Sequence, residues 1–329
     1  MRGRILLAST LALAILAFTH PAWALRNGDF CVGERIATCG TQYPEISSFH
    51  FLGVMPQASL PDALDAFYAH PVDPGEVVVM WLGNGVGSWS GYASSGILLK
   101  TDGKVVLIDP ANIISGSNVQ KLQRLDVLLI THEHTDHFSQ SATSSIQSQT
   151  GAVIVANPGA YTQLTAPIPH EKLIKMKSTQ TQVVSGIEIT AIASDHPGNE
   201  PLTYLLTMSP FSIYHGSDSG PISALEGYKG RARLALMPTG IAPTASPDAA
   251  LQMVRALQPN DVIPMHGSES DNARLGTLLT QQAPNVQYHR PQPISSLAVD
   301  EFLPIGLIAI LVSVTEFSLI MTTKRQERE

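Results

Sequence analysis

Cysteine is nearly missing from this chain: two residues in 329, Cys31 and Cys39, with no metal-ligand pattern beside either. A thiolate-built metal centre is therefore set aside. Charged residues are also sparse at 14%, and basic side chains are outnumbered, 20 against 27, for a net charge of -7. Such a balance offers no electrostatic footprint for a polyanion, which removes nucleic acid from the expected partners. Internal repeats and low-complexity tracts are absent as well. What remains is 44% hydrophobic, enough for one large globular domain with appendages rather than a disordered chain.

The appendages lie at the two ends. Arg2 and Arg4 precede an apolar run, Ile5 to Phe18, and Ala22-Trp23-Ala24 then places small residues where a signal peptidase inspects them. Residues 1–24 are expected to be a signal peptide, the alternative being an uncleaved N-terminal anchor. Near the other end, residues 302–321 are mostly apolar and long enough to cross a bilayer, with Lys324 and Arg325 following. Basic residues tend to stay in the cytoplasm, so the domain would lie outside, with residues 322–329 as a cytoplasmic tail. Glu316 is the one charge within the span, and a buried core helix is the competing reading. Export would favour a Cys31–Cys39 disulfide, stabilising by about 2–3 kcal/mol; free thiols are the alternative.

Between the ends the pattern alternates strands and helices. Residues 76–82 (EVVVMWL) are β-branched and apolar, and 96–109 (GILLKTDGKVVLID) are two strands joined by an Asp-Gly turn. Further strands are expected at 125–130, 152–156, 187–193, 202–207, 211–214, 234–237 and 262–265, with helices over 248–257 and 272–282. Residues 25–75 form an N-terminal extension, with a helix near 61–69. Residues 291–301 read as a linker to the span.

The chemistry concentrates in THEHTDHF, residues 131–138, which emerges from the carboxyl end of the apolar strand LDVLLI. Imidazole and carboxylate share the ability to present lone pairs to a cation such as Zn²⁺. His132 and His134, two apart, can face one ion, while Asp136 and His137 reach a second. The remaining ligands must come from later strand ends, where loops gather on one rim. His196 after IEITAIAS, Asp218 after FSIY and His266 after DVIPM meet that condition. His170 and His289 read as surface histidines, and His20, His50 and His70 receive no role.

With H-x-H-x-D-H at 132–137, Asp109 in VVLIDP, and His196, Asp218 and His266, the chain resembles the metallo-β-lactamase-fold hydrolases over roughly residues 76–290. MWLGNG and IYHGSD also resemble the branch of ascorbate-phosphate lactonase-like and N-acyl phosphatidylethanolamine phospholipase D-like enzymes. The resemblance implies a four-layer αβ/βα sandwich, of α/β class, with two divalent ions on one edge, zinc first, manganese or iron as alternatives. His132, His134 and His196 would hold one ion, Asp136, His137 and His266 the other, and Asp218 would bridge them, with Asp109 bracing the loop.

The implied activity is metal-dependent hydrolysis of an ester, lactone or phosphodiester in a small-molecule or lipid-like substrate. Asp136 would orient the attacking water and move its proton, and His215 is a candidate oxyanion donor. The chain departs from the branch at Asn84, where a histidine usually follows WLG, and in the glycine- and serine-rich stretch after it. Two other readings stand beside this one: an iron-dependent oxidative enzyme on the same fold, and a surface-anchored metal- or ligand-binding protein without turnover. A true β-lactamase is disfavoured, because those enzymes place a cysteine or a differently positioned aspartate where Asp218 stands. Nothing in the sequence sets the oligomeric state.

Overall fold

A computed structural model describes residues 49–54, 60–83, 95–240 and 244–291. The expected signal peptide, both cysteines, the stretch after Asn84 and the apolar segment 302–321 lie outside these residues. Among the described residues no helix is long and apolar enough to cross a membrane.

The first half of the chain builds one seven-stranded sheet and the second half another. The first runs in sequence order: β1 (Phe49–Val54), β2 (Val77–Trp81), β3 (Ile97–Lys100), β4 (Val105–Ile108), β5 (Val127–Ile130), β6 (Val153–Ala156) and β7 (Leu173–Lys175). The second runs from β8 (Thr181–Val184) through β9 (Ile187–Ala193), β10 (Leu202–Met208), β11 (Phe211–His215), β12 (Leu234–Pro238) and β13 (Asp261–Met265) to β14 (Gln287–Tyr288). Apart from the parallel edge pair β1–β2, antiparallel pairs come before a parallel set in each sheet, β4 to β7 in the first and β11 to β14 in the second.

Alternate side chains of a strand point to opposite faces, so one strand feeds two cores. Val77, Val79 and Trp81 of β2 join Ile189, Tyr204, Leu236 and Ile263 of the facing sheet in the central core. Val78 and Met80 point outward and are covered by helix α1 (Leu60–Ala69), which inserts Leu64 and Phe67. Helices α2 (Gln140–Thr150) and α3 (Pro158–Leu164) cover the same outer face. On the second sheet, α4 (Pro247–Leu257) and α5 (Glu269–Gln282) bury Val254, Leu257, Leu275 and Leu279 against Leu205, Ala235 and Val262. Helices thus sandwich two packed sheets, which is why β2, β4 and β5 are buried along their whole length.

Residues 49–54 and 60–69, expected as part of an extension with a helix near 61–69, have a place in this architecture. β1 pairs in parallel with β2, and the carbonyls of Phe67, Tyr68 and His70 at the end of α1 accept hydrogen bonds from the Lys100 ammonium. Helix α2 was not expected. Its sequence QSATSSIQSQT presents one aliphatic residue larger than alanine to the core, Ile146, so apolar periodicity does not reveal it. Its ends are nonetheless well formed, with Ser139 Oγ accepting from Ala142 N and Gly151 closing the C-terminus at φ 68°.

Candidate metal centre

The strand ends supply the site because the parallel strands all release their chains at one rim. After β5 the chain turns at once: Thr131 N donates to Asp109 Oδ1 at 2.8 Å, and Thr131 Oγ donates to Asp109 Oδ2 at 2.5 Å. His137 and Phe138 then donate backbone N–H to the His134 carbonyl, a tight turn that separates His132 and His134 from Asp136 and His137. Asp109, Ser217 and His266, at the ends of β4, β11 and β13, adopt positive φ of 45°, 51° and 51°. Each such residue costs about 1–2 kcal/mol, and strain of this kind gathers where side chains must be aimed.

Two clusters result. One ligand atom from each of His132, His134 and His196 lies within 4.8 Å of the others, and the same holds for Asp136, His137, Asp218 and His266. The seven side chains expected from the sequence are therefore together in space, although His196 and His266 come from distant parts of the chain. Asp218 stands between the clusters. Its Oδ2 is 3.8 Å from His132 Nε2 and 3.6 Å from His196 Nε2, while its Oδ1 is 3.0 Å from His137 Nε2 and 3.4 Å from His266 Nε2. Asp136 Oδ2 lies 3.3 Å from His266 Nε2, and with 43% of its side chain exposed it is far more open than Asp218 at 3%.

The donor set fits divalent cations. Ring nitrogens approach one another at 3.1 Å between His132 and His134, 3.1 Å between His134 and His196 and 3.3 Å between His137 and His266. Lone pairs so close repel unless a proton or a cation lies between them. Oδ1 of Asp218 is buried and receives no well-aligned hydrogen bond, and the same is true of Nδ1 in His196 and His266. Nitrogen and carboxylate oxygen together suit zinc, manganese or iron.

Charge in the cluster follows from burial and proximity. Burial, assisted by the neighbouring His137, holds the His132 imidazole down to about 3, so it is neutral with a lone pair to give. For His137 burial works the other way from its partners, yet Asp218 and Asp109 outweigh it and raise the imidazole to about 10. Burial opposes ionisation of Asp218 too, but His137 keeps its carboxyl well below the usual range. Asp136 behaves alike, brought down to about 2 against its burial by the His266 hydrogen bond and by His137. Two ionised carboxylates thus demand positive charge at a buried point, which a proton on His137 or a bound cation can supply.

Around these side chains runs a buried polar network in which motif reading singled out Asp109 as a brace but not Ser95, Thr131 or Ser217. Asp109 Oδ2 and Ser95 Oγ both lie 2.8 Å from His137 Nδ1, which sets the ring's orientation and directs Nε2 to the cluster. Thr131 Oγ lies 3.1 Å from His132 Nδ1 and receives a hydrogen bond from Ser217 Oγ at 2.8 Å. Thr131 and Ser217 sit inside the quoted motifs, so polar neighbours of a ligand at a strand end were the available signal.

His215 departs from expectation. It is fully buried, its Nε2 lies 2.9 Å from the Ser95 carbonyl, and its Nδ1 accepts from Ser217 N at 3.3 Å. With both nitrogens taken by backbone, the ring has no N–H left for a substrate oxyanion, and burial lowers its pKa toward the neutral form. Its work is to hold Ser95 beside His137.

Comparison with known proteins agrees with this geometry. Residues 88–266, more than half of the chain, match the β-lactamase superfamily domain. A protein of Nitratidesulfovibrio vulgaris (strain DP4) described as a UPF0173 metal-dependent hydrolase is 30% identical over 230 residues, covering 65% of this chain and 95% of its own. A namesake from Polaromonas sp. is 31% identical over 236 residues, 62% of this chain and 81% of its own. Among solved structures, the metallo hydrolase Igni18 of Ignicoccus hospitalis superposes with a TM-score of 0.53 at 22% identity, over 61% of this chain and 93% of that one. The metallo-β-lactamase fold protein YhfI of Bacillus subtilis gives 0.52 at 15% identity, over 67% and 98%. With the sandwich, the rim and the seven converging histidines and aspartates, this chain belongs to the β-lactamase superfamily and has the metallo-β-lactamase fold.

Proposed function

We propose that the protein is a metal-dependent hydrolase that holds two divalent ions, zinc being the first choice, and cleaves an ester, lactone or phosphodiester in a small-molecule or lipid-like substrate. The observation that carries this reading is Asp218, whose two carboxylate oxygens face separate histidine clusters at 3.0–3.8 Å. His132, His134 and His196 would hold one ion, and Asp136, His137 and His266 the other. Bound there, the ions would supply Lewis-acid polarisation and lower the pKa of water toward neutrality. The chain's own contribution is to fix the ligands: Asp109 and Ser95 orient His137, and Thr131 and Ser217 flank His132. Asp136, ionised and the more exposed of the two site carboxylates, can accept a hydrogen bond from the attacking water and take its proton.

Elemental analysis of the full-length protein, together with a panel of lactone, phosphodiester and thioester substrates, tests the reading. Two metal equivalents per chain and a chelator-sensitive hydrolytic rate are expected. Dioxygen-dependent turnover, or bound metal with no turnover on any member of the panel, would sink it. His134→Ala is expected to abolish activity and reduce bound metal, whereas His170→Ala, on an exposed turn, leaves both nearly unchanged. Equal effects of the two changes would count against the assignment.

The same reading places the domain outside the cytoplasm, anchored by residues 302–321. The charge and apolar patterning of residues 1–24 and 302–325 supports it. The full chain should stay with the membrane pellet through an alkaline carbonate wash. Release into the supernatant would contradict the anchor.

A further inference from the structure

We propose that Glu133 is a positioning residue for the first ion, its carboxylate clamping the loop that carries His196 to the loop that carries His132 and His134. The proposal rests on the two-metal reading above.

Glu133 stands between two ligands in sequence, yet its carboxylate reaches away from them. Oε1 accepts from Asn199 N at 2.7 Å and Oε2 accepts from Asn157 Nδ2 at 3.0 Å. Asn157 in turn donates to the Asn199 carbonyl at 2.9 Å, and its Oδ1 accepts from Ala160 N at 3.1 Å at the start of α3. Three segments meet at one carboxylate: the ligand turn, the N-terminus of α3 and the residues just after His196. With both oxygens engaged, Glu133 is not placed to act on a substrate.

The backbone approaches this carboxylate closely at Gly159 and lies in ordinary contact with it at Gly198. A Cβ on Gly159 would lie 2.1 Å from Oε2 of Glu133, and one on Gly198, at φ +147°, would lie 3.5 Å from Oε1. Glycine at 159 is thus what lets helix and carboxylate approach.

The His196 loop has other ties, which is why this one acts on the ligand rather than on the fold. Leu202 N donates to the Thr131 carbonyl at 3.0 Å where the loop ends, and Asp195 is held by Ser219 Oγ at 2.9 Å where it begins. Between those anchors, Glu133 and the Asn157 amide it accepts from together fasten the segment following His196, with Lys177 Nζ pairing with Glu200 at its exposed side. Its loss would leave β9 and β10 paired while freeing the imidazole that must meet His134 at 3.1 Å. Partners that orient metal ligands without touching the metal typically change affinity by about 10–100-fold when removed.

The test uses the full-length protein, zinc(II) titrated against a competing chelator, and the cobalt(II) absorption spectrum as a report on ligand geometry. Glu133→Gln keeps an acceptor for Asn199 but turns an amide NH₂ toward that of Asn157. Asn157→Asp sets two carboxylates face to face, and the double variant restores a donor opposite an acceptor. The expected result is that each single change weakens one of two zinc equivalents by about 10–100-fold and spares the other. The double variant should bind more tightly than Asn157→Asp alone. Gly159→Ala meets only the end of the Glu133 side chain, so it should fold and perturb the cobalt spectrum as Glu133→Gln does. Wild-type affinity in both single variants, equal loss of both equivalents, or a double variant no better than Asn157→Asp would overturn the proposal. A wild-type protein that binds no zinc would overturn the two-metal reading, and this proposal with it.

Discussion

Asp218→Asn is expected to lose both metal equivalents and to lower any hydrolytic rate by more than about a hundredfold. A partner that merely orients a ligand is worth about 10–100-fold in metal affinity, and Asp218 does more, since its two oxygens face both clusters. The asparagine amide keeps the size but removes the charge, and it points N–H groups at ring nitrogens on one side. Elemental analysis and rate measurement on the purified variant decide the matter. Retention of two equivalents would remove Asp218 from its bridging place.

The same carboxylate has a consequence for the metal-free protein. His137 is raised to about 10 by Asp218 and Asp109, so its protonation stabilises the fold fully below its unfolded value near 6.5 and fades as pH climbs toward 10. Asp218 is depressed, so its contribution is present above about 3.9 and fades as pH falls below that. Thermal unfolding in chelator should therefore peak between those limits, and Asp218→Asn should flatten the alkaline decline. An unchanged alkaline arm would show that the pair does not form.

The second large effect is expected at Asp109, which touches no cluster ligand other than His137 yet holds the site together. It accepts from Thr131 N, Thr131 Oγ and Ser95 Oγ, and pairs with His137, all in a fully buried position. Asp109→Ala strands these donors and should destabilise the protein by about 3–5 kcal/mol, the usual result of breaking a buried charged pair. Asp109→Asn is the sharper probe. An amide facing His137 Nδ1 favours a proton on Nε2, the nitrogen that faces Asp218, so the fold should survive while zinc leaves the second cluster. Calorimetry and metal analysis of the two variants separate the effects; equal stability of wild type and Asp109→Ala would refute the brace.

Much of this architecture is visible in the chain itself, for local reasons. A β-branched apolar run bounded by turn residues forms a strand almost wherever it is placed, and β2, β5, β9 and β12 fall where such runs occur. The H-x-H-x-D-H cluster is legible because its histidines and aspartate are neighbours in sequence, and His196, Asp218 and His266 because each follows a strand. Helix α2, with its serines and glutamines, and β1 are not, since they owe their state to the surface they cover or the strand they pair with.

The order of residues was sufficient to specify which side chains could grip cations and which strands would carry them, because both depend on composition over a few positions. It was silent on His215, where a ring that sequence placed near the substrate has both nitrogens bound to backbone. Equally hidden were the left-handed turns at Asp109, Ser217 and His266 and the clamp at Glu133. These arise from contacts between segments far apart in the chain. A hydrogen bond across such a distance exists only after the two sheets have packed, and no local pattern records it.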